Sequence, residues 1–137
     1  MNNRGFTLVE LLTVVAIIGI LSAMTLVTFP AARTRARDGV IMSCMGQLRA
    51  EAEVIYGENS NMYTTALGTS PAITTAWTSL IDDIESQVIG TATIISVDQA
   101  YCVAVTLNSN DVWCIDSTGF AGTPSANVCA GAVTHCE

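Results

Sequence analysis

The sequence predicts an α+β fold: a long N-terminal α-helix, apolar in its first half and amphipathic in its second, packed on a small antiparallel β-sheet head with a disulfide-linked C-terminal loop. Three observations carry that prediction. From Leu8 to Phe29 the chain runs for 22 residues with Glu10 as its only ionisable side chain, and apolar positions then continue at helical spacing. Three runs enriched in β-branched residues follow residue 91. Four of the five cysteines fall within the last 36 residues.

The apolar run would make about 33 Å of helix, enough to cross a hydrocarbon core of about 30 Å. The small residue Gly5 comes before this run, directly behind Met1-Asn2-Asn3-Arg4. A secretory signal peptide has the opposite order, with its small-residue cleavage site after the apolar stretch. Residues 6–30 therefore read as a hydrophobic transmembrane helix behind a short polar, basic start at residues 1–5. Glu10 is the informative residue within it. A carboxylate in the apolar part of a membrane helix costs several kcal/mol and is usually retained for a partner. The plainer alternative is that Glu10 sits at the interface, close to the positive end of the helix dipole.

Residues 31–57 continue the helix as its amphipathic half. Ile41, Met45, Leu48, Ala52 and Ile55 step by four, three, four and three, marking one buried stripe. Gly57 and the Asn59-Ser60-Asn61 cluster are stop signals. Cys44 lies near the stripe and reads as a buried free thiol.

Residues 58–91 read as a connecting loop with a short helix, in which Trp77, Leu80, Ile81, Ile84 and Val88 recur at helical spacing. Asp82, Asp83 and Glu85 lie between them and read as a solvated face, the alternative being a calcium site. Residues 92–117 hold the runs Ala92 to Val97, Tyr101 to Leu107 and Val112 to Ser117, which predict an antiparallel meander. Alternation puts Cys102 and Cys114 on neighbouring strands of one hairpin, so Cys102–Cys114 is the first disulfide candidate. Residues 118–137 are a C-terminal loop region that Cys129–Cys136 would close, with Cys114 to Cys129 as a competing pairing. An odd cysteine count leaves at least one thiol outside these bridges.

Charge is segregated. All five basic residues are arginines, four of them before residue 38, and residues 51–137 contain no Lys or Arg. Direct nucleic-acid binding by the head is therefore not expected, since it needs clustered cations. There is no CxxC, the single His135 adjoins only Cys136, and no GxSxG, Walker loop or HExxH occurs; no metal, cofactor or catalytic constellation is expected. By the positive-inside rule Arg4 leaves the N-terminus in the cytoplasm, whereas Arg33, Arg35 and Arg37 argue the reverse. The cysteine-rich acidic part favours an oxidising space and so places the head outside.

Arg4-Gly5-Phe6-Thr7-Leu8-Val9-Glu10-Leu11-Leu12, followed by Val14 to Leu21, resembles the class III leader and N-terminal helix of type IV pilins and type II secretion pseudopilins. The resemblance is close over residues 1 to about 30. It implies the type IV pilin fold, cleavage by a prepilin peptidase between Gly5 and Phe6, and N-methylation of Phe6. It further implies a Glu10 carboxylate paired with the Phe6 amine of a neighbouring subunit. The partners would be further copies in a helical filament, the pilus assembly machinery, and the cytoplasmic membrane before assembly, with an extracellular pilus as the final location. Where the family commonly has a proline, this chain has Val27; its proline is Pro30, so any kink or unwinding between Gly19 and Pro30 would be displaced or shortened. The alternatives are a pseudopilin and a single-pass membrane protein whose head is a binding module or enzyme.

Overall fold

The computed structural model describes residues 5–63, 75–125, 129, 135 and 136. Six elements follow in order: α1 (Leu8–Glu58), α2 (Thr75–Gln87), β1 (Thr93–Val97), β2 (Ala100–Thr106), β3 (Val112–Asp116) and β4 (Ala121–Gly122). The chain divides into two units, Met1–Thr34 and Arg35–Glu137.

In the first unit, the helix contains an 18-residue window of mean hydropathy 2.4, none of it buried. Leu8, Leu12, Ile20, Leu26 and Phe29 are all exposed. Its hydroxyls turn inward on the backbone: Thr13 Oγ1 donates to the Glu10 carbonyl at 3.0 Å and Thr25 Oγ1 to that of Ser22 at 2.9 Å. Such back-bonding satisfies the hydroxyl in apolar surroundings. Both Gly19 and Pro30 lie inside α1, which continues through them.

The second unit is organised around a four-stranded antiparallel meander, in the order β1-β2-β3-β4. The short β4, pairing Ala121 with Ile115 and Gly122 with Cys114, extends the predicted three-strand meander. Two residues of strand, one of them a glycine, lack the β-branched run that would reveal them in a sequence.

Strand alternation splits β2 between two cores. Tyr101, Val103 and Val105 join Ile41, Met45, Leu48, Ala52 and Ile55 of α1, together with Trp77 and Ile84 of α2. Burying a side chain of that size contributes roughly 2 kcal/mol. On the opposite face, Cys102, Ala104 and Cys114 pack with Cys129 and Cys136. The sheet thus lies between a hydrocarbon layer and a sulfur-rich layer.

Helix α1 passes Gly57 and stops at Glu58, after which Ser60 and Asn61 take left-handed φ values of 55° and 60°. Asn61 N donates to the Tyr56 carbonyl at 3.0 Å, a cap that absorbs one of the last helical carbonyls. Beyond it, Tyr63 N donates to Asp98 O at 3.0 Å, tying the exit of α1 to the β1–β2 turn. Most of the connecting loop, residues 64–74, lies outside the described residues, as do residues 126–128, 130–134 and 137 of the C-terminal loop.

Candidate functional site

The first candidate site is the start of α1. Gly5 and Phe6 precede the helix, and Phe6 is 75% exposed. Thr7 is the N-cap residue: Glu10 N donates to Thr7 Oγ1 at 3.3 Å, while Glu10 Oε2 accepts from Thr7 N at 2.9 Å and Thr7 Oγ1 at 2.7 Å. This reciprocal arrangement is a capping box, which satisfies orphan donors at a helix N-terminus. The Thr7-x-x-Glu10 spacing that announces it is visible in the sequence, although the apolar flanks direct attention to the membrane instead. Both bonds use Oε2, so Oε1 stands outside the capping box. The box therefore holds the carboxylate against the N-cap Thr7 and, among the described residues, leaves Oε1 outside these bonds.

The second is the sulfur cluster of the head. Cys102 is bonded to Cys129, with Cα atoms 5.6 Å apart, and Cys114 to Cys136 at 5.9 Å. The predicted pairings Cys102–Cys114 and Cys129–Cys136 are therefore wrong. The shared face was correct: the Sγ atoms of Cys102 and Cys114 are 3.5 Å apart. Register decides the bonding, because Cys102 stands opposite Asp116 while Cys114 stands opposite Ala104. The two cysteines are diagonal neighbours, whose Cα atoms usually lie about 7–8 Å apart. A disulfide spans at most about 6.8 Å between Cα atoms. Both strand cysteines are thus left to the tail. Closing loops of 27 and 22 residues stabilises the head chiefly by restricting its unfolded state. All four Sγ atoms lie within 4.8 Å of one another, but as two disulfides they carry no thiolate with which to hold a metal.

Two buried aspartates, neither singled out in the sequence, pin the loops around this head. Asp116 is 1% exposed; its Oδ1 accepts from Thr118 N at 2.9 Å, Thr118 Oγ1 at 2.7 Å and Phe120 N at 3.1 Å, and its Oδ2 from Cys136 N at 2.8 Å. Asp38, on α1, accepts from Asn108 N at 2.8 Å and Ser109 N at 3.2 Å in the β2–β3 turn. Burial on its own would raise both acids, but the donated hydrogen bonds outweigh it and hold each below the ordinary carboxylate value. An aspartate preceding or following a turn is common in sequences, so only the fold reveals which turn each one caps.

Arg49 reaches from α1 to Gly119, donating to its carbonyl at 3.0 Å. Gly119 has φ +101°, and a Cβ there would meet the Arg49 guanidinium at 3.3 Å, so both backbone conformation and space favour glycine. Cys44 is the free cysteine, half-buried, with its thiol pushed up by burial and by the charge of Asp83. Glu85 is occupied in accepting from Ala92 N at 3.1 Å, and Asp82 and Asp83 are exposed.

The prokaryotic N-terminal methylation motif matches residues 1–26. The chain carries the N-terminal methylation motif of prepilin-type proteins. It is 29% identical over 127 residues to the type IV wide pilus major component PilA4 of Thermus thermophilus, covering 93% of this chain and 86% of that protein. No solved structure matches the chain significantly. Its long N-terminal helix, four-stranded antiparallel sheet and cysteine-linked C-terminal region are those of the type IV pilin fold.

Proposed function

We propose that the chain is a structural, non-enzymatic subunit of a type IV pilus. A prepilin peptidase cuts between Gly5 and Phe6, the new Phe6 amine is methylated, and the mature subunits polymerise through α1 into a surface filament. Before assembly, α1 holds the subunit in the cytoplasmic membrane with the head outside.

The observation that carries this reading is the pairing of an unburied apolar helix with a cleavage motif directly in front of it. Exposed apolar surface on this scale requires lipid or other copies to cover it. The role of the Thermus relative as a pilus component favours a pilin over a pseudopilin. Glu10 then supplies register: its Oε1 meets the Phe6 amine of an adjacent copy, so that a misaligned copy leaves a buried charge without a partner. Such a charge costs about 3–5 kcal/mol. In the filament, Gly19 and Pro30 mark the stretch where α1 is most able to bend or unwind, since proline removes a helical hydrogen bond and glycine loosens the backbone.

N-terminal mass spectrometry of material sheared from the cell surface tests the reading. The expected product begins at methylated Phe6; retention of Met1, or cleavage beyond residue 20, overturns it. Electron microscopy separates the pilus from a pseudopilin, which forms no long surface fibres.

A further inference from the structure

A homopolymer of this chain faces an electrostatic problem. Eleven of its twelve acidic residues lie after residue 37, where Arg49 is the sole Lys or Arg, so packed heads repel one another. Arg49 is already engaged with Gly119, and the Arg33 guanidinium sits 5.8 Å from the Phe29 ring. Arg35 and Arg37 are exposed and, among the described residues, have no partner within their own chain.

The head offers a complementary feature. Helices α1 and α2 flank an open groove of about 430 Å³ lined by Ala50, Glu51, Val54, Ala76, Ser79 and Leu80. With Gln47, these make a lining that is mostly apolar, in which Glu51 is the charged side chain among the described residues. Glu51 lines it directly, and Asp83 lies one helical turn beyond Ser79 on α2, close enough to Cys44 for its charge to act on that thiol. An arginine is the side chain that suits such a groove, since its methylene stem covers apolar surface while the guanidinium reaches a carboxylate bidentately.

We propose that the α1–α2 groove is the seat for the Arg35–Arg37 segment of a second copy, with Arg35 inserted and Glu51 and Asp83 receiving its charge. This rests on the filament reading above. The sixteen-residue separation of Arg35 and Glu51 along α1 corresponds to an axial offset of about 24 Å between the two copies, whereas Phe6 and Glu10, only four residues apart, allow a far smaller one. The groove contact therefore joins a different pair of copies from the Glu10 contact, and braces the filament at a second distance along its axis.

The test is charge reversal with complementation between chains. Cells producing only R35E/R37E, or only E51R/D83R, are expected to hold processed subunit at wild-type level but to yield at least about tenfold fewer filaments, as when charge pairs at an interface are broken. Producing both variants together restores filaments, because each then supplies the charge that the other lacks. R35K/R37K retains them. As a check needing no variant, sheared wild-type filaments fall apart sooner at 1 M than at 0.1 M salt, where screening lengths are about 3 and 10 Å.

Either reversed variant assembling like wild type overturns the proposal, and so does a failure of the two together to restore filaments. Loss of R35E/R37E precursor from anionic vesicles, with no rescue by E51R/D83R, would assign these arginines to lipid headgroups instead. Absence of filaments from wild-type cells would overturn the filament reading itself, which is a different failure from filaments indifferent to these charges.

Discussion

The first 34 residues and the remainder of the chain solve opposite problems with the same helix. In the first unit the apolar side chains of α1 stay exposed, and its polar groups are satisfied locally by the capping box and by hydroxyl back-bonds. In the second, the helix buries one stripe on a sheet whose other face is sealed by two disulfides. The head is stabilised from within its own chain. The N-terminal half buries none of its apolar window within the chain, so on the proposed reading its state follows its environment, membrane or filament. One helix can serve both because hydrogen bonding is internal to a helix, whatever solvent it meets.

This contrast can be broken at either end. The largest effect is expected from Glu10→Val: processed subunit should accumulate in the membrane while filament yield falls by at least about tenfold, the loss corresponding to about 1.4 kcal/mol or more per contact. Glu10→Gln should behave similarly, and normal filaments from both variants would remove the charge pair from the mechanism. Head stability should remain unchanged in both, as measured by denaturant unfolding in detergent.

Next in size is loss of a bridge. Cys102→Ser with Cys129→Ser should lower head stability by about 3 kcal/mol without affecting membrane insertion. Disulfide mapping by peptide mass spectrometry should return Cys102–Cys129 and Cys114–Cys136 from the native chain; a Cys102–Cys114 peptide would contradict the register. Asp116→Ala should cost roughly 2–3 kcal/mol, because it leaves the amides of Thr118, Phe120 and Cys136 without their acceptor.

A smaller effect is the acid sensitivity of the head. Asp38 and Asp116 are held below the ordinary carboxylate value when folded, so the unfolded chain binds protons more readily than the folded one. Their stabilisation is complete above about pH 4 and is lost as pH falls through the depressed folded values. Unfolding midpoints measured from pH 6 down to pH 2 should show this loss, and it should shrink in Asp38→Asn and Asp116→Asn. The smallest change is expected from Pro30→Ala, which should leave the midpoint of the head as it is in wild type.

Much of this molecule is legible without coordinates. The bilayer-length run, the buried stripe from Ile41 to Ile55 and the meander depend on period and composition, which are local properties of the chain. The capping box was also legible, since Thr7 and Glu10 stand three residues apart. The roles of Asp38 and Asp116 were not, because their partners lie on other segments: Asn108 is seventy residues from Asp38 and Cys136 twenty from Asp116.

The sequence alone therefore determined the bilayer-length apolar run, the N-terminal methylation motif that overlaps it, the long helix and the faces of the strands. Only the tertiary structure decided which sulfur meets which. A strand pattern states the face on which Cys102 and Cys114 lie, but the offset between strands places them diagonally, and the returning tail brings Cys129 and Cys136 over them. That choice depends on distances between residues far apart in the chain, and neither spacing nor composition encodes those distances.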